Sequence, residues 1–222
     1  MRHALILAAG RGERMRPLTD ATPKPLLEVN GKPLIVHHIE KLAAADVRYI
    51  AINISHLAEQ FPETLGDGSR WGVRLRYSYE GPQPLETGGG MLKALPLLGP
   101  EPFIVVSADI VSDIDYAALP REPEGLAHLV MVPNPDFHPQ GDFALRDGRL
   151  HEDGERLTFG NVGVYRRELV SGEAPGAFKL APLYRRAIAQ GRLSGERFDG
   201  FWRNIGTPTQ LDELRTSQGH RR

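Results

Sequence analysis

The chain has 222 residues, with 27 basic and 28 acidic side chains and a net charge of -1, so no whole-molecule attraction to nucleic acid or anionic membranes is expected. A composition of 41% hydrophobic and 25% charged residues is that of a soluble globular protein, long enough to bury about 70% of its unfolded surface. Cysteine is absent, which excludes disulfides, thiolate nucleophiles, cysteine zinc sites and iron–sulfur clusters and fits a reducing cytoplasm.

The first apolar run, residues 4–9, is shorter than a signal-peptide core, and no run approaches the ~18 apolar residues of a membrane span. A cytoplasmic, single-domain protein over residues 1–222 is expected. Further apolar runs at 49–54, 75–79, 103–107, 127–132 and 162–165 predict strands. Between them, 33–45 places Ile35, Ile39 and Leu42 on one helical face. Residues 56–65 follow Ser55 as an N-cap, 87–98 open on glycines, and 179–190 and 207–214 complete the predicted helices. Alternation at this spacing predicts a Rossmann-like α/β fold, a mostly parallel central sheet with helices on both faces. Residues 133–158, rich in proline and glycine, break the rhythm and predict a small antiparallel hairpin region over the active-site edge. The polar residues 217–222 are expected to fray.

The first strand runs into Leu7-Ala8-Ala9-Gly10-Arg11-Gly12-Glu13-Arg14-Met15-Arg16-Pro17-Leu18-Thr19. A small glycine-rich turn after a strand exposes N–H groups that can surround phosphate oxygens. Met15 stands where a dinucleotide-binding loop needs its third glycine, and no Gly-Lys-Ser/Thr follows, so neither the dinucleotide nor the P-loop reading holds. Charge remains: residues 1–25 carry five basic side chains (Arg2, Arg11, Arg14, Arg16, Lys24) against Glu13 and Asp20, an excess of three. Guanidinium and ammonium groups in that density suit a triphosphate. No His-Glu-x-x-His, Gly-x-Ser-x-Gly or glycosidase-like carboxylate pair competes with this chemistry.

The pattern Leu-Ala-Ala-Gly-x-Gly-x-Arg-x-x-Pro-Leu-Thr followed by Pro23-Lys24-Pro25 resembles the signature of the sugar-1-phosphate nucleotidylyltransferases. The resemblance implies that Ala8, Ala9, Gly10, Arg11 and Gly12 wrap the nucleotide phosphates. It implies that Arg14 steadies the leaving pyrophosphate and that Lys24 meets the transferring phosphoryl group. Downstream, Glu80-Gly-Pro-Gln-Pro-Leu-Glu-Thr-Gly-Gly-Gly90 matches the family's base and sugar segment, with Gln83 and Gly88 as base readers and Glu86 and Thr87 along the sugar. Its glycines are expected to leave N–H groups unpaired toward a ligand. By the same resemblance Asp109, at the end of strand 103–107, holds Mg2+, and Asp142, Asn161 and Lys179 contact the sugar and its phosphate.

One departure stands out. The family usually has aspartate where this chain has Asn204, whose amide oxygen still suits a hard cation but brings no charge. The implied reactants are a nucleoside triphosphate and a sugar 1-phosphate. Within the family, Leu85-Glu-Thr-Gly-Gly-Gly, Gly141-Asp-Phe and Phe178-Lys-Leu-Ala-Pro are similar to the uridylyltransferases of N-acetylmuramate 1-phosphate from cell-wall recycling. Mannose-1-phosphate guanylyltransferases share the first signature and are the alternative. A non-catalytic nucleotide-sugar sensor is the alternative of another class, favoured by Asn204 alone.

Overall fold

A computed structural model describes residues 2–218. Strand β1 (His3–Leu7) leads through the glycine loop to a short helix α1 (Leu18–Ala21) and a hairpin of β2 (Glu28–Val29) and β3 (Lys32–Pro33). Helix α2 (Leu34–Ala44), β4 (Tyr49–Ile54), α3 (Gln60–Leu65), β5 (Arg74–Tyr79), α4 (Glu86–Ala94) and β6 (Phe103–Ser107) follow in alternation. Then come β7 (Ile110–Ser112), β8 (Ala127–Val132), β9 (Phe143–Arg146), β10 (Arg149–His151) and β11 (Arg156–Tyr165). The chain ends through α5 (Ala181–Ala189), β12 (Leu193–Arg197), β13 (Trp202–Asn204) and α6 (Pro208–Gln218).

Nine strands form one sheet in the order β5-β4-β1-β6-β11-β8-β12-β10-β9. The β5-β4-β1-β6 half is parallel, β11 runs against both β6 and β8, and β12 returns parallel to β8. The predicted fold class is therefore present. The hairpin expected in 133–158 is β9–β10, and it is hydrogen-bonded into the main sheet through β12 and through the start of β11. That second pairing closes the far end of the sheet on itself.

Alternation along β1 explains the two-faced core. Ala4 and Ile6 pack with Ile35, Ile39 and Leu42 of α2, whereas Leu5 faces Met91 and Ala94 of α4 and the Leu183–Tyr184 side of α5. A third apolar cluster joins Met15, Leu27, Val29 and Leu34 to Ile205, Leu211 and Leu214, so α6 docks beneath the glycine loop.

Several predicted boundaries shift for local reasons. Helix α3 starts at Gln60 rather than after Ser55, because Leu57 adopts φ 50° and the Ser55 hydroxyl donates to Gly81 O at 2.7 Å. The strand predicted at 162–165 begins at Arg156. Of the six residues expected to fray, 217 and 218 continue α6 and 219–222 lie outside the described residues.

Candidate active site

Strand β1 is buried on both faces, so its carboxyl end opens directly into the glycine loop at the sheet edge. Gly12 has φ 63°, and its carbonyl accepts both Met15 N–H at 2.8 Å and the Thr19 hydroxyl at 2.9 Å. A Cβ at Gly12 would stand 3.0 Å from Thr19 Cγ2 and 3.1 Å from Lys24 Cβ, so glycine lets Lys24 pass close beneath the loop. The result is a cavity of about 700 Å³. It is lined by Ala8, Ala9, Gly10, Arg11, Gly12, Arg14, Lys24, Glu86, Thr87 and Asp109 among others.

Lys24 and Asp109 meet in this cavity, with Lys24 Nζ donating to Asp109 Oδ2 at 2.6 Å. The lysine side chain is 11% exposed and the carboxylate 31%, so the pair is poorly screened by water. Arg14 makes no ion pair or hydrogen bond among the described residues and packs over Gly206, where a Cβ would sit 3.1 Å from its Nη2. Its guanidinium is therefore available to an anion. Arg11 instead spans the rim and donates to Pro82 O at 2.9 Å.

Asn204 is not on the cavity wall, but it pairs with Ile110 in the β7–β13 ladder, and Ile205 N–H donates to Asp109 O at 2.8 Å. Its Oδ1 is shielded from solvent and has no hydrogen-bond partner. An orphaned amide oxygen one residue from a backbone bond to Asp109 fits a hard cation that takes its other ligands from carboxylate, phosphate and water. Among the described residues no group of three or more His, Asp or Glu could hold an ion by itself.

A second cavity of about 310 Å³ shares Leu7, Glu86, Thr87 and Ser107 with the first. Asn161 and Lys179 line it, with Phe159, Tyr165 and Tyr184 as its aromatic wall. Asn161 enters because β11 carries an irregularity between Phe159 and Gly163, where Asn161 takes φ 57°. Lys179 is carried in by the first turn of α4. Gly88 N–H donates to Phe178 O at 2.8 Å, and Thr87 Oγ1 accepts Leu180 N–H at 3.0 Å.

Besides Asn204, three expected residues, Gly88, Gln83 and Asp142, lie outside both cavities. Gly88 and Gly89 spend their N–H groups on Phe178 O, which corrects the expectation of unpaired donors there. Their missing side chains make room for Phe178 and for Gly176 O instead. Gln83 lies on the exposed loop before α4 and is not on either wall. Asp142 braces the β9–β11 junction, accepting Phe159 N–H at 2.7 Å and meeting His138 Nε2 at 3.2 Å.

Among the wall residues to which the sequence assigns no role are Asn53 and Glu80. Asn53 hides inside an apolar strand, and Glu80 follows the end of another. Burial pushes the Glu80 acid up, opposed by hydrogen bonds from Leu85 N–H and Asn53 and by the charge of Lys93.

A glycine loop, an unpaired guanidinium and a buried lysine facing a strand-end carboxylate, at the carboxyl edge of an α/β sheet, are the parts a nucleotide-handling transferase uses. The nucleotidyl transferase family model matches residues 3–134, and the chain belongs to that family. It is 47% identical to the N-acetylmuramate alpha-1-phosphate uridylyltransferase of Neisseria meningitidis, over 97% of this chain and 98% of that one. It is 36% identical to the enzyme of the same name from Caulobacter vibrioides, over 92% of each. A Bacillus anthracis protein crystallised with a sucrose superposes with a TM-score of 0.86 at 20% identity, over 98% of this chain and 95% of that chain.

Proposed function

We propose that the protein transfers a uridylyl group from UTP to N-acetylmuramate 1-phosphate, releasing pyrophosphate. The observation that carries this reading is the Lys24–Asp109 pair lying in a cavity that shares a wall with a second, sugar-sized one. Likeness to two whole-length relatives of that name supports the choice of base and sugar.

A phosphate oxygen of the sugar 1-phosphate attacks the α-phosphorus of UTP. The new O–P bond forms as the bond to the β-phosphate oxygen breaks, and that electron pair leaves with pyrophosphate. The nucleophile is already an anion, so no general base is required, and catalysis consists of alignment and charge neutralisation. In this reading the loop from Ala8 to Gly12 holds the triphosphate and Arg14 neutralises the departing pyrophosphate. Lys24, aimed by Asp109, meets the charge that builds on the transferring phosphoryl group. Lys179 and Asn161 take the sugar phosphate side in the smaller cavity, with Glu86 and Thr87 at the junction. Asp109 and Asn204 would hold Mg2+, which supplies further charge neutralisation on the phosphates when bound.

The test is pyrophosphate release in the presence of magnesium, with N-acetylmuramate, N-acetylglucosamine, glucose and mannose 1-phosphates each offered with UTP, dTTP and GTP. Fast release confined to N-acetylmuramate 1-phosphate and UTP is expected. Faster release with mannose 1-phosphate and GTP would overturn the substrate assignment.

A further inference from the structure

The third glycine of Gly88-Gly89-Gly90 has a reason that neither substrate supplies. A Cβ at Gly90 would stand 2.3 Å from Glu80 Oε1 and 2.6 Å from Asn53 Nδ2. The space is kept for a buried side-chain bridge. Asn53 Oδ1 accepts Ala8 N–H at 2.5 Å, and Asn53 Nδ2 donates to Glu80 Oε1 at 2.6 Å. Glu80 Oε2 then accepts Leu85 N–H at 2.6 Å. Asn53 is 3% exposed and Glu80 6%.

The two ends of the bridge are the two sides of the larger cavity. Ala8 begins the glycine loop, and Leu85 sits immediately before Glu86 at the start of α4. The bridge also dictates its own chemistry. With Oδ1 facing an N–H donor, the amide must turn Nδ2 toward the carboxylate, and a reversed amide would lose both bonds. A buried amide and a buried acid are each costly unless satisfied, and here each satisfies the other. The exposed Arg11 bond to Pro82 O also ties the glycine loop to the segment between Glu80 and Leu85, and the Ser55 hydroxyl steadies that segment through Gly81 O.

We infer that Asn53 is a positioning residue for the nucleotide, fixing through Glu80 the separation between the glycine loop and the start of α4. This rests on the reading of the larger cavity as the nucleoside triphosphate site. The inference assigns Asn53 no contact with the reacting atoms. Its loss changes the width of the slot, and the nucleotide registers the change while the sugar phosphate, held by the α4–Lys179 side, does not.

The experiment measures UTP affinity by calorimetry without sugar phosphate, for the wild type, Asn53→Ala, Asn53→Asp and Gly90→Ala, with the thermal midpoint of each. Gly90→Ala removes no polar group and displaces the bridge sterically, so it is independent of the Asn53 variants. Asn53→Ala and Gly90→Ala should weaken UTP at least about tenfold, the worth of one charge-assisted hydrogen bond. The KM for sugar 1-phosphate at saturating UTP should change less than about twofold.

Asn53→Asp adds a readout that a purely structural role would not move. Its new carboxylate faces Glu80 from β4, with Lys93 of α4 the nearby cation and Ala8 N–H still donating from the loop. Two facing carboxyls need a shared proton, so UTP affinity relative to wild type should recover between pH 8 and pH 6. Wild-type protein that binds no nucleoside triphosphate would overturn the reading of the cavity and this inference with it. Wild-type binding equalled by Asn53→Ala and Gly90→Ala, or a flat pH ratio for Asn53→Asp, would overturn the inference alone.

Discussion

Lys24 and Asp109 lie 85 positions apart in the chain, and the fold brings their side chains to 2.6 Å. The lysine follows the glycine loop at the end of β1 and the aspartate follows β6, a parallel neighbour of β1, so the pair depends on strand order rather than on a local motif. Asp109→Asn keeps an oxygen for Lys24 while removing the negative charge. Turnover should fall by roughly 100-fold or more with little change in thermal midpoint. Retained turnover would remove Asp109 from the chemistry. Lys24→Arg should not restore the wild-type rate of a Lys24→Ala variant, because a longer, planar fork does not place one compact charge at the point beside Asp109 Oδ2 that the ammonium holds.

Asn204 offers a buried oxygen without charge. Asn204→Asp should therefore lower the magnesium concentration needed for half-maximal activity. A magnesium titration of both proteins at fixed UTP decides the point. An unchanged midpoint would mean that residue 204 is not a ligand.

Gly88 separates two accounts of the glycine run. An added Cβ would lie 2.3 Å from the Phe178 ring and 2.9 Å from its carbonyl oxygen. Gly88→Ala should cost about 1–3 kcal/mol in urea unfolding and raise the KM for sugar phosphate, since Lys179 moves with Phe178. A rise confined to the KM for UTP would instead make Gly88 a base contact.

His38 is fully buried against Tyr116, with its Nδ1 2.8 Å from the phenol oxygen, and burial pushes its pKa down to about 4. The unfolded chain takes up that proton near 6.5, so stability from this group is full above about pH 6.5 and is lost as pH falls toward 4. The loss is on the order of 3 kcal/mol. Glu80, whose acid is raised, works in the opposite sense over part of that window, so the comparison must be made with His38→Gln. Urea unfolding at pH 7.5 and pH 5 should show a smaller decrease for the variant than for the wild type.

Much of this was legible in the residues. The apolar strands and the glycine loop carry their own signals, and Pro23-Lys24-Pro25 marks a lysine held for a purpose. What could not be read was whatever depends on partners distant in the chain. Asn53 reads as a polar interruption of Ala-Ile-Asn-Ile, and only the packing of β4 beside β1 reveals Ala8 as its acceptor's donor. Strand β12 carries no strand signal of its own, because Leu193-Ser-Gly-Glu-Arg has one apolar residue. It is held by the β8 ladder, and Gly195 passes so close that a Cβ would sit 2.9 Å from Leu129 O. The bonds of Asp142 to Phe159 N–H and His138 were equally hidden, since a lone carboxylate in a loop carries no mark of what it will bond.

The return of β9 onto β11 has a consequence for solubility. A strand left open at the margin of a sheet is a template for recruiting foreign strands into aggregates. Among the described residues the main sheet leaves one such margin, β5, because its other end is sealed by its own hairpin. Along β5 the outward positions include Arg74 and Arg76, both exposed. Guanidinium groups spaced at alternate residues repel an approaching identical strand, so the open margin carries its own guard.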